Sequence, residues 1–145
     1  MKIIENIKGW VAKDNSVKRV AEDIQLTSEL ILLVRMIYVD GEYKAEELQN
    51  FKRICKIAFD IEEEDVPKVI KYLQDFGYET TADDAANMFR SMSLERKKAL
   101  LLHLLSVAKA DNVLHQNEVD MIRNVANLLD VDANTLQEIS STDIG

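Results

Sequence analysis

Leu30-Ile31-Leu32-Leu33-Val34-Arg35-Met36-Ile37-Tyr38-Val39-Asp40-Gly41 decides the fold. From Glu29 to about Val39 the residues are apolar on nearly every side of a helix. A helix with that pattern belongs in the middle of a bundle. It stops at Asp40-Gly41, where glycine takes the left-handed conformation that closes a helix. Leu26-Thr27-Ser28 supplies hydroxyls for a cap at its start.

Downstream, Leu48, Phe51, Ile54, Cys55, Ile57 and Ala58 predict the buried stripe of a second helix over about Ala45 to Phe59. Glu62-Glu63-Glu64-Asp65 opens a third, since acidic residues suit a helix start and Pro67 is tolerated there. That helix continues through Val69, Ile70, Tyr72, Leu73 and Phe76 to Gly77. Thr80-Thr81 caps a short helix containing Ala85, Ala86, Met88 and Phe89. Ser93 caps a longer one, from about Leu94 to Ala110, with Leu100, Leu101, Leu104, Leu105, Val107 and Ala108 inside. After a break at Asp111-Asn112, Val119, Met121, Ile122, Val125, Ala126 and Leu129 mark a helix from about Gln116 to Leu129. Asp132 caps a last one through Leu136 and Ile139. No segment alternates as a strand would, and four Gly and one Pro are too few for a turn-rich sheet protein. The expectation is an all-α single-domain bundle of seven to eight helices.

Upstream, Ile3, Ile4, Ile7, Trp10 and Val11 recur at spacings of three and four, with Lys2, Lys8 and Lys13 opposite. This predicts a short amphipathic helix, with a loop signal at Asp14-Asn15-Ser16. Peripheral membrane contact through residues 1–13 is one reading. Docking on the domain through Trp10 and the isoleucines is the other, and a short, weakly basic segment favours it. Residues 1–25 are therefore read as an N-terminal helix and linker, and residues 26–145 as the helical domain.

The 145 residues carry a net charge of −8 and are 47 % hydrophobic. Residues 1–20 hold five basic and two acidic side chains, a net of +3, so the rest of the chain stands at −11. That balance counts against a nucleic-acid binder, which needs positive charge. The longest apolar runs, Leu30–Val34 and Ala99–Leu102, are far shorter than the ~20 residues of a transmembrane segment. No signal-peptide core is visible at the start. One cysteine, Cys55, excludes an intrachain disulfide and a multi-cysteine metal site, and its place in an apolar stripe reads as a core thiol. The expected location is cytoplasmic.

The chain carries a weak internal correspondence. Aligning Asp40 with Asp111, an offset of 71, pairs Gly41 with Asn112, Glu47 with Glu118, Phe51 with Ile122, Ile54 with Val125 and Cys55 with Ala126. A one-residue deletion shifts the offset to 70 and pairs Asp60 with Asp130 and Ile61 with Val131. Identity is low, but helix order, break position and acidic residues agree, as in a duplicated helical hairpin.

The segments Val39-Asp40-Gly41 to Glu47 and Ala110-Asp111-Asn112 to Glu118 resemble the paired A-D-G-x(5)-E signature of TerB-like proteins. This family includes the tellurite-resistance protein TerB and a domain of a membrane-bound DnaJ-type co-chaperone. The resemblance covers about residues 26–140. It implies a compact helical bundle, a role in stress response, and a divalent cation bound by the paired acidic residues. Asn112 replaces the expected Gly of the second copy, and Asn is the next best residue for a left-handed turn.

Residue chemistry alone leaves two readings of these acids. Asp40 and Asp111 stand near helix C-termini, where a negative charge is disfavoured by ~0.3–1 kcal/mol unless compensated. Turn hydrogen bonds could compensate each one locally. Alternatively, Asp40, Glu47, Asp111 and Glu118 converge on a hard cation of the Mg²⁺, Ca²⁺ or Mn²⁺ class, which favours oxygen ligands. Asp130-Val131-Asp132 begins like an EF-hand loop, but Thr135 replaces its Gly and Ser141 its Glu. Two histidines and one cysteine do not support a zinc site, and His103 reads as a satisfied histidine on a helix edge. No nucleophile elbow, P-loop or dinucleotide fingerprint is present, so no enzyme is expected. A non-enzymatic cation-binding module, with a protein partner plausible, leads. A metal-free interaction module with an acidic surface is the alternative, and a hydrolase using metal-held water ranks third.

Overall fold

A computed structural model describes residues 15–39, 45–76, 80–109 and 114–141. These residues form eight α-helices, and no strand occurs among them. In chain order they are α1 (Asn15–Glu22), α2 (Ile24–Tyr38), α3 (Ala45–Phe59), α4 (Val66–Phe76), α5 (Ala82–Asn87), α6 (Leu94–Ala108), α7 (Gln116–Leu128) and α8 (Ala133–Ser141). The all-α expectation holds. The helix read over residues 1–13 lies outside the described residues.

The all-round apolar helix is the centre of the bundle. Leu30, Leu32, Leu33 and Met36 of α2 are fully buried, and α2 packs against α1, α3, α4, α5 and α6. Helix α6 is its counterpart, with Leu100, Leu101, Leu104, Val107 and Ala108 buried and with α2, α3, α7 and α8 around it. Asn50 of α3 fixes that contact by donating from Nδ2 to the Ser106 carbonyl at 2.6 Å.

Four sequence expectations change. Residues 15–22, read as loop and linker, form α1, which buries Val17 and Val20 in the common core. Helix α2 begins at Ile24, five residues before the expected start. Its cap is Asp23, which accepts from the Leu26 amide at 3.1 Å. Thr27 is already inside the helix, and its hydroxyl donates to the Val20 carbonyl, tying α2 to the last turn of α1. Arg19 completes the clamp, donating to the carbonyls of Phe59 at 3.0 Å and Asp60 at 2.5 Å. A guanidinium there meets the negative end of α3. In α3 itself Ile57, 77 % exposed, and Ala58, also exposed, lie outside the stripe assigned to them. The acidic run 62–65 forms a 3-10 turn, Glu63–Asp65, before α4 begins at Val66.

The other caps fall where the hydroxyls and carboxylates predict. Thr81 accepts from the Asp84 amide, Ser93 from that of Arg96, and Asp132 from that of Thr135 at 2.7 Å.

Helices α3 and α7 leave by matching exits. Asp60 and Asp130, paired in the correspondence, are the non-glycine residues with positive φ among the described residues, at 54° and 58°. The next amide closes each exit. Ile61 N–H donates to the Cys55 carbonyl and Val131 N–H to that of Ala126, both at 2.9 Å. Donors and acceptors are the residues the alignment pairs, and the first loop is one residue longer.

Candidate functional site

The four carboxylates proposed as metal ligands divide between two settings. Asp40 and Asp111 lie outside the described residues. Glu47 and Glu118 stand in the first turns of α3 and α7 and are buried, at 1 % and 0 % exposure. Few carboxylates are buried this completely without a counter-charge.

Glu118 shows why the position is possible. As the third residue of α7 it reaches back, and its Oε1 accepts from the His115 amide at 2.9 Å. That bond satisfies one of the orphan donors of a helix start, and the helix dipole favours negative charge at that end. The other oxygen is different. Glu118 Oε2 is buried and has no hydrogen-bond partner among the described residues. An unanswered buried acceptor costs ~1–3 kcal/mol, and more if charged. Glu47, its pair in the correspondence, begins α3 in the same position and at the same depth. Among the described residues alone, no group of three or more His, Cys, Asp and Glu is placed to hold a metal.

A second charged centre lies elsewhere, and the sequence reading missed it. Glu29 of α2 is 0 % exposed. Arg96 donates from Nη2 to its Oε1 at 2.5 Å, and His103 Nδ1 meets its Oε2 at 2.5 Å. Both partners stand on α6, seven residues and so two turns apart. An ionised carboxylate only accepts, so His103 Nδ1 donates and Nε2 carries the lone pair in the neutral ring. Arg96 also lies over the Phe89 ring at 5.2 Å, and Phe59 meets the His103 ring edge-on at 5.7 Å. The satisfied histidine on a helix edge is thus His103, with its partner now identified. The available signal was a pair of polar interruptions, Glu29 and His103, in two otherwise apolar helix faces.

Cys55 sits in the same interior. Burial, with the Glu29 charge adding to it, pushes its thiol up to about 12. It is a core thiol and not a nucleophile at neutral pH.

No helix among the described residues is long and apolar enough to cross a membrane. Comparison with curated proteins and with solved structures finds no match. The family described as Tellurite resistance protein TerB does match, over residues 25–141, and a match over so much of the sequence places the chain in the TerB family.

Proposed function

We propose that the protein is a non-enzymatic stress-response module of the tellurite-resistance type that binds a divalent cation at its acidic turns. The observation that carries this reading is Glu118 Oε2, a buried carboxylate oxygen without a hydrogen-bond donor among the described residues. Membership of the TerB family and the paired Asp and Glu spacing support it. An all-oxygen donor set fits Mg²⁺, Ca²⁺ or Mn²⁺. Asp40, Glu47, Asp111 and Glu118 are the residues that would hold the ion. Bound there, the cation supplies positive charge to groups the helix ends alone leave short of it. The module acts in the cytoplasm and recruits a protein partner.

Calorimetric titration and thermal melts with Mg²⁺, Ca²⁺, Mn²⁺ and Zn²⁺ test the reading. Saturable binding and a higher Tm are expected with at least one oxygen-preferring cation, because a ligand that binds only the folded state stabilises it. Asp111→Asn with Glu118→Gln removes both. No response to any of these ions would overturn the cation site. The acidic surface would then remain as a docking face for a basic protein partner, with capture from lysate that weakens as salt rises.

A further inference from the structure

A groove of about 400 Å³ opens over the second charged centre, lined in part by Asp23, Leu26, Ala58, Phe59, Arg96 and His103. This volume falls within the range of small-molecule sites, roughly 300–1,000 Å³. Three of its features point to one class of ligand. Its charged residues are anchored, since Glu29, wholly buried, binds both Arg96 and His103. Arg96 uses one nitrogen for Glu29, which leaves further guanidinium N–H donors, and its side chain is 32 % exposed. His103 gives Nδ1 to Glu29 and keeps Nε2 free of protein partners among the described residues, with 23 % of its side chain exposed. The apolar part of the lining is Leu26, Ala58 and Phe59, and Gln25 completes the lining.

We propose that this groove binds a small monocarboxylate with an apolar body. The carboxylate is held by Arg96 and His103, and the body lies along Leu26, Ala58 and Phe59. The charges fix the form of the reaction. Arg96 is already balanced by Glu29, so an added anion is compensated only when His103 gains a proton at Nε2. Binding therefore takes up one proton, either from solvent or from the entering carboxylic acid, whose O–H bond breaks as the Nε2–H bond forms. The other groups near His103 do not take over this role. Asp23, at the rim, is negative and is tied by Oδ1 to the Leu26 amide. Cys55 of α3, near Glu29, keeps its proton up to about 12. No hydrogen bond or ion pair from α7 or α8 reaches His103 among the described residues. The site is independent of the acidic turns and of the cation reading.

The test is calorimetric titration of the full chain with benzoate and with hexanoate, at about pH 6 and pH 8, so that proton uptake on binding is read from the difference. Saturable binding is expected, about tenfold tighter at the lower pH, with benzamide showing none. Ala58→Trp fills the groove while leaving Glu29, Arg96 and His103 themselves unsubstituted, and abolishes binding. His103→Gln keeps a donor for Glu29 but cannot take up the proton, so it weakens binding about tenfold and flattens its pH dependence. Melting curves confirm that both variants fold. No saturable binding of either acid up to about 10 mM, weaker than the millimolar affinities worth ~4 kcal/mol, overturns the proposal. So does equal binding of benzamide, or an Ala58→Trp variant that binds as the parent does.

Discussion

Glu29 and Glu118 are both fully buried carboxylates, each at 0 % exposure and each on a helix, yet they are answered differently. Glu29 has both oxygens met by cationic or polar side chains of α6, so its counter-charge is internal. Glu118 has one oxygen met by a backbone amide and the other unanswered among the described residues. The first is a closed arrangement that ties two central helices together. The second is open among the described residues, and it is on this acceptor that the proposed cation reading rests. Burial alone therefore does not distinguish the two carboxylates, whereas the donors around them do.

The comparison can be broken most forcefully at Arg96. Arg96→Met strands the Glu29 charge in the core and should cost about 3 kcal/mol by urea unfolding, at the low end for a broken buried pair because Arg96 is partly exposed. A loss below about 0.5 kcal/mol, the scale of a surface pair, would show that Glu29 is not held as described. Next in size is a contrast of sign. In cation-free buffer Glu29→Gln should lower stability by about 2 kcal/mol, while Glu118→Gln should raise it by about 1 kcal/mol, because only the second relieves an uncompensated acceptor. Equal signs would end the distinction.

Cys55 sharpens the same picture as a reporter of the interior. Its folded value of about 12 lies above the ordinary 9.0, so its contribution is complete below pH 9 and is lost as pH rises from there towards 12. Between about pH 9 and 10.5 the parent should lose about 2 kcal/mol more stability than Cys55→Ala, measured by urea unfolding at each pH. The smallest effect belongs to a carboxylate that is exposed and satisfied. Asp132 is held below the usual carboxylate range by the Thr135 backbone amide, helped by the Thr135 side chain. Asp132→Ala should lower Tm slightly at neutral pH. The difference should vanish as acid protonates Asp132, since a depressed carboxylate contributes stability only above its titration.

Helix order and core were legible because period and caps agree. Leu30 to Ile37 and Leu100 to Ala108 carry few polar residues, and Thr81, Ser93 and Asp132 cap where their side chains allow. Helix α1 was harder to read, since its apolar side rests on Val17 and Val20 alone and its polar start resembles a loop. Ile57 has a spacing that fits the stripe of α3, yet it is 77 % exposed with respect to the described residues. For the candidate site, Glu47 and Glu118 were legible from spacing relative to a turn, a local property. The Glu29 triplet was not, because Glu29 and His103 lie 74 residues apart and only tertiary packing brings them together.

The exits at Asp60 and Asp130 bear on how this chain tolerates changes in length. A one-residue difference between the halves is taken up outside the helices, in the loop closed by Ile61 and Cys55. Every upstream side chain keeps its azimuth, so Phe51 and Glu47 still point inwards as Ile122 and Glu118 do. An extra residue placed instead at Asn50 would rotate one end of α3 by ~100° against the other and turn Glu47 away from the interior. A chain engineer lengthening or trimming α3 or α7 should therefore work at their exits.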